Sequence, residues 1–150
     1  MTENERVVRR FVEEFLGKGD LAAADDTADP LIQGITGLKP NGPINGLSEY
    51  KQIIKAFVDA LPALEPLRIV DQFAAGDRVV TRFRSRQQHA REFLGLAPTS
   101  RVILFDEIHV AKLRSGKIIE NIAAGISLEF EMLLAPILAP MILNPSEDAR

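Results

Sequence analysis

The chain contains no cysteine. Disulfides, thiolate metal ligands and cysteine nucleophiles are therefore excluded. It also lacks an unbroken apolar run of membrane-spanning length. The most apolar stretch, residues 122–143, is interrupted by Glu129, Glu131, Pro136 and Pro140. An excess of positive charge is missing as well: the net charge is −3 at pH 7, so there is no electrostatic case for nucleic acid or an anionic membrane as partner. No glycine-rich phosphate loop and no nucleophile elbow occur. No set of His, Asp and Glu has convincing metal-ligand spacing, so neither a metal nor a cofactor is expected. The N-terminal MTENERVVRR has no apolar signal-peptide core, and a cytoplasmic location is the expectation. What remains is the profile of one ordinary domain over residues 1–150, with 46% hydrophobic and 26% charged residues.

The first third reads as helical. Thr2, with Glu5 three residues on, has the form of a capping box. Val7, Val8, Phe11, Val12, Phe15 and Leu16 then recur at helical spacing until Gly17-Lys18-Gly19. Asp20 suits the N-cap of a short second helix, Leu21 to about Asp26, which Asp29-Pro30 ends. A short strand is expected over Leu31–Thr36. Residues 37–46, GLKPNGPING, carry several turn signals and form a loop of the kind that either connects or rims a site. A third helix is expected from a Ser48 cap to Pro62, burying Tyr50, Ile53, Ile54, Phe57, Val58 and Leu61.

From Leu67 the period changes to two. Leu67–Phe73, Arg78–His89, Arg101–Leu113 and Lys117 to about Ser127 read as a four-strand antiparallel meander, with hairpin signals at Ala75-Gly76-Asp77 and Arg114-Ser115-Gly116-Lys117. In the second of these strands Val80, Arg82, Arg84, Arg86 and Gln88 share one face. Val79, Thr81, Phe83, Ser85, Gln87 and His89 share the other. The arginine face has to meet water or acids, because burying unpaired guanidinium groups is prohibitive. The opposite face turns from apolar to polar along its length, as a pocket wall does. Helices first and strands after give an α+β fold with helices on one face of a curved sheet.

Several sequence pieces in this order resemble the SnoaL-like polyketide cyclase family of the nuclear-transport-factor-2-like (NTF2-like) superfamily. They are the Gly17-Lys18-Gly19-Asp20-Leu21 exit of the first helix, Ala60-Leu61-Pro62-Ala63, Gly76-Asp77-Arg78-Val79-Val80, His89-x-x-Glu92-Phe93-x-Gly95-x-x-Pro98-Thr99, and Arg114-Ser115-Gly116-Lys117-Ile118-Ile119-Glu120. The resemblance implies a cone-shaped barrel, its antiparallel or mixed sheet wrapped around three N-terminal helices. It further implies a deep pocket for a hydrophobic small molecule, and frequent homodimers through the outer sheet face. The chain departs from the family's pattern at two places. Leu31-Ile32-Gln33-Gly34 stands where many cyclases carry a histidine, and Leu61-Pro62-Ala63 stands for Phe-Pro-Asp.

The candidates for chemistry follow. The resemblance puts Gln87 and His89 on the pocket wall, bonding substrate oxygens; a near-neutral histidine can polarise a carbonyl or take a proton. Glu107 and His109 share a strand face, about 7 Å apart along the strand. Facing inward they would be a base and its partner; facing outward they would be a surface ion pair, which is the plainer expectation. Asp106 is the rival carboxylate should a bulge reverse the parity. Tyr50 should sit at the pocket rim with its hydroxyl bonded. Phe83, Phe105, Asp71 and Gln33 complete the expected lining. The tail, residues 126–150, is too apolar to leave exposed, which suggests a lid or a dimer contact. The function expected is a cofactor-independent cyclase or isomerase. It would act by acid/base chemistry on a polyketide-like or terpenoid-like molecule. A non-catalytic binding domain and a hydrolase or dehydratase are the alternatives.

Overall fold

The computed structural model describes residues 1–37, 39 and 42–144. Helix α1 (Glu3–Arg10) begins as its sequence requires: the Thr2 hydroxyl accepts the Glu5 N–H at 3.1 Å. It runs on into a π-helical stretch, Phe11–Leu16, and this segment buries Val8, Phe11, Val12 and Phe15 completely. Asp20 caps α2 (Leu21–Thr27), accepting from Ala22 and Ala23. Strand β1 (Ala28–Ile35) follows, then the two-residue β2 (Ile44–Asn45). The turn-rich loop lies partly outside the described residues, at positions 38, 40 and 41. Helix α3 spans Leu47–Ala60. Ser48 is not its cap: Gly46 occupies that position, at φ +91°, where a side chain would be strained.

Strands β3 (Arg68–Ala75), β4 (Arg78–Gln88), β5 (Val102–Arg114) and β6 (Lys117–Gly125) form the expected meander. β1 joins it by parallel pairing with β6, which completes a curved, unclosed six-stranded sheet in the order β2-β1-β6-β5-β4-β3. The tail is helical, with α4 (Glu129–Leu133) and α5 (Ala135–Leu143).

Two irregularities decide which side chains face inward. In β3 the pairing steps from Ile69↔Phe83 to Asp71↔Arg82. The extra residue flips the parity, so Gln72 points inward and donates to the Thr81 hydroxyl at 3.2 Å. Asp71, expected in the pocket lining, is exposed, as is Phe73. The second irregularity lies between Lys112↔Glu120 and Leu113↔Ile118. It puts Ile118 and Asn121 on the same buried side of β6.

The interior has two apolar clusters. One packs α1, α2 and α3 on the sheet through residues such as Phe11, Phe15, Ile32, Val79 and Ile118. The other gathers Phe57, Leu61, Phe93, Ile103 and Phe105 under Phe130 and Leu134 of the tail. Each buried aromatic side chain contributes about 2–3 kcal/mol of transfer free energy, so the tail is held by its own apolar content.

Candidate functional site

A cavity of about 70 Å³ opens between α3 and the concave sheet face, lined by members of both clusters. Its apolar wall is built from Ile54, Phe57, Phe83, Phe105 and Phe130. Its polar groups are Thr36, Tyr50, Gln87, Glu107, His109 and Glu131.

Glu107 and His109 therefore face inward, contrary to the plainer expectation of an outer ion pair. Alternation along β5 forces this, because Ile103, Phe105, Ala111 and Leu113 on the same parity are all core residues. His109 Nε2 lies 2.8 Å from Glu107 Oε1. On the other side of the ring the Asn121 amide donates to His109 Nδ1 at 3.0 Å and to the Tyr50 hydroxyl oxygen at 3.1 Å. With Asn121 donating, Nδ1 is an acceptor, so the imidazole proton sits on Nε2 and is given to Glu107. Asn121 thus sets the tautomer that holds the carboxylate. Phe83 packs edge-on to the His109 ring, centroids 4.8 Å apart. Burial pushes the Tyr50 phenol up to about 12; the nearby Glu107 charge adds to the shift and the Asn121 bond works against it. Phe11 and Phe15 hold the Tyr50 ring by edge contacts at 5.9 and 5.6 Å.

Gln87 lines the cavity, with its Nε2 donated to the Leu61 carbonyl at 2.7 Å, which ties β4 to the end of α3. Tyr50, Phe83 and Phe105 also line it. Four expected residues do not. His89 lies beyond the end of β4, where its backbone pairs with Ser100 and Arg101. Its Nδ1 accepts the Thr99 N–H at 3.2 Å and meets the Thr99 hydroxyl at 3.0 Å. The ring is fully buried under the β4–β5 connection, away from the cavity lining. Asp106 lies on the outer face, where Arg82 donates to both carboxylate oxygens at 3.1 and 2.9 Å and Arg84 adds a bond at 3.2 Å. The Arg82 bonds, aided by those of Arg84, hold the Asp106 carboxyl below its usual range. Asp71 is outside because of the β3 bulge. Gln33 is exposed on β1 beside Asn45, while its neighbour Gly34 faces in against Tyr50.

Two residues of the site were not foreseen. Asn121 is hidden by the β6 irregularity, since plain alternation from Ile118 would turn it outward. Glu131 reads in sequence only as a break in the apolar tail. Among the described residues no group of three or more His, Asp or Glu is placed to hold a metal ion, and no helix is long and apolar enough to cross a membrane. A larger depression of about 480 Å³ is lined by Arg68, Arg84, Arg86 and Glu65 among others and contains no carboxylate–histidine pair.

The architecture is that of the NTF2-like fold. A protein from Jannaschia sp., described as a SnoaL-like polyketide cyclase, superposes with a TM-score of 0.75 at 20% identity, covering 92% of this chain and 93% of its own. IdmH from Streptomyces antibioticus, described as a polyketide cyclase, superposes at 0.71 with 19% identity, covering 89% and 99%. AclR from Streptomyces galilaeus, described as a hydroxylase, superposes at 0.72 with 18% identity, covering 90% and 97%. No curated protein sequence matches the chain significantly. The family model for SnoaL-like polyketide cyclase matches residues 6–125, which include every strand among the described residues, α2, α3, most of α1 and the Glu107–His109–Asn121–Tyr50 chain, and so supports a small-molecule-binding role of the cyclase type. The chain belongs to the SnoaL-like polyketide cyclase family.

Proposed function

We propose that the protein is a cofactor-independent cytoplasmic cyclase or isomerase acting on a hydrophobic, polyketide-like molecule. The observation that carries this is the Glu107–His109 pair turned into an apolar cavity. In that setting Glu107 removes a proton from a carbon next to a substrate carbonyl, and the C–H electrons pass to the carbonyl oxygen as an enolate. The enolate carbon attacks a second carbonyl of the same molecule, forming the ring bond, and the new alkoxide takes the proton back. His109 touches Glu107 and holds it; Asn121 and Tyr50 act through His109 as positioning residues. General acid/base catalysis of this kind contributes about 10²- to 10⁴-fold.

Sites for molecules of this size usually enclose about 300–1,000 Å³, and the cavity holds about 70 Å³. Phe130 and Glu131 of α4 form part of its wall. We therefore assign the tail the role of a lid that opens to admit the ligand and settles back over it. Exposed Phe73, Val102 and Leu104, beside the Arg82–Asp106 pair, support the outer face as a homodimer contact.

The test is exchange of the acidic C–H protons of an apolar β-diketone in deuterated buffer, followed by NMR. The wild type should accelerate exchange, and Glu107→Gln should lose about two orders of magnitude or more while still binding the diketone. Equal exchange by the two proteins, with binding retained, would leave a non-catalytic binding domain. A chain ending at residue 126 should lose ligand binding yet keep its fold and oligomeric state if the tail is a lid. A changed oligomeric state would instead mark the tail as a subunit contact.

A further inference from the structure

Resting on the pocket proposed above, we infer that Glu131 of α4 determines ligand specificity, its carboxylate accepting a hydrogen bond from a hydroxyl of the bound molecule. The site then takes an uncharged, hydroxylated apolar ligand and refuses a carboxylate.

Glu131 lies outside the stretch matched by the family model, yet it lines the cavity together with Glu107 and His109. Its Oε2 is buried and has no hydrogen-bond partner among the described residues. A buried carboxylate oxygen without a donor is unfavourable, so the site is incomplete as it stands. Two N–H donors on the wall are already committed: Gln87 Nε2 to the Leu61 carbonyl and His109 Nε2 to Glu107. No lysine or arginine is present in the lining. A ligand hydroxyl supplies what is missing. A ligand carboxylate would meet two carboxylates with no lysine or arginine opposed to them.

The placement of Glu131 is built rather than incidental. Phe130 and Leu134, buried on either side of it in sequence, anchor α4 in the aromatic cluster. The Glu131 carboxylate then lies in a notch left by a glycine: a Cβ on Gly125 would come within 3.3 Å of Oε1 and 3.0 Å of the Ser127 carbonyl. A side chain at position 125 would press on the carboxylate and shift it by a few tenths of an ångström.

The experiment compares binding of naphthol, its methyl ether and naphthoate by calorimetry. Wild type, Glu131→Leu, Gly125→Ala and Glu107→Gln are used, each first checked for a cooperative melt. Wild type should bind naphthol about ten-fold tighter than the ether, equivalent to about 1.4 kcal/mol, and naphthoate weakest. Glu131→Leu should bring naphthol and ether to within about two-fold of each other without weakening the ether. Gly125→Ala should reduce the preference while leaving the carboxylate in the chain. A preference that survives Glu131→Leu, or one lost only in Glu107→Gln, overturns the assignment. Equal binding of naphthol and ether by the wild type overturns it too but leaves the pocket standing, whereas failure of both to bind removes the pocket itself.

Discussion

Gly34 and Tyr50 are in van der Waals contact so close that a Cβ at residue 34 would lie 2.7 Å from Tyr50 Cε2. Any side chain at this position would drive the ring out of its place. Gly34→Ala should therefore destabilise the fold by about 1–3 kcal/mol through overpacking. It should also break the Tyr50–Asn121 bond, lowering turnover in the diketone exchange. Urea unfolding and the exchange rate check the two effects separately. Wild-type values for both would mean that the ring has room to move.

Tyr50 also sets an alkaline limit. Its pKa is raised in the fold to about 12, above the ordinary value near 10. A group whose folded pKa is raised contributes stability in full below its unfolded pKa and loses it as pH rises towards the folded value. Thermal stability should fall between about pH 10 and 12, and Tyr50→Phe should be less sensitive over that window. An unchanged pH profile in the variant would assign the fall to other groups.

Asp106 works in the opposite direction. Its carboxyl is held below the usual range, first by the Arg82 hydrogen bonds and then by Arg84. The stabilisation is complete above the ordinary carboxylate pKa, about 4, and disappears as pH falls through the lowered folded value. Asp106→Asn should destabilise the protein at pH 7, and its difference from wild type should shrink as the medium is acidified. Because Asp106 lies outside the cavity, the exchange rate of the folded variant should match the wild type. A loss of rate would place Asp106 in the chemistry after all.

Phe130 anchors the tail in the aromatic cluster. Its ring meets Phe57, Phe105 and Phe93 at centroid distances of 5.5, 5.2 and 6.1 Å. Phe130→Ala removes a buried aromatic group, a change that costs about 3–5 kcal/mol in a core. Here the loss should fall locally on α4 and α5. Limited proteolysis should cut residues 127–144 faster, with the core strands still protected. Protection equal to the wild type would show that other contacts seat the tail.

Much of the architecture was legible in the residues themselves. Thr2 and Asp20 cap their helices because a hydroxyl or carboxylate before an apolar period satisfies free N–H groups. The alternation of Val79, Thr81, Phe83, Ser85 and Gln87 held along all of β4, where the strand is regular. The candidate site was less legible, for a reason that period-two counting cannot overcome. One extra residue in β3 turned Asp71 out, and one in β6 turned Asn121 in. Such bulges arise from how neighbouring strands pair, which no single strand's pattern encodes. Outward or inward facing of the Glu107–His109 pair was likewise open in the sequence until the helices covered one side of the sheet.

By itself, then, the sequence determined the first three helices, the four-strand meander, their order and the family frame, because capping, periodicity and turn chemistry act between residues close in the chain. Only the tertiary structure decided that Glu107, His109, Asn121 and Tyr50 form one hydrogen-bonded chain, and that His89 and Asp106 stand apart from it. It also brought Glu131 from the tail to the same cavity. Those relationships join residues from α3, β5, β6 and α4, and they exist only where packing against a shared apolar core brings distant parts of the chain to one place.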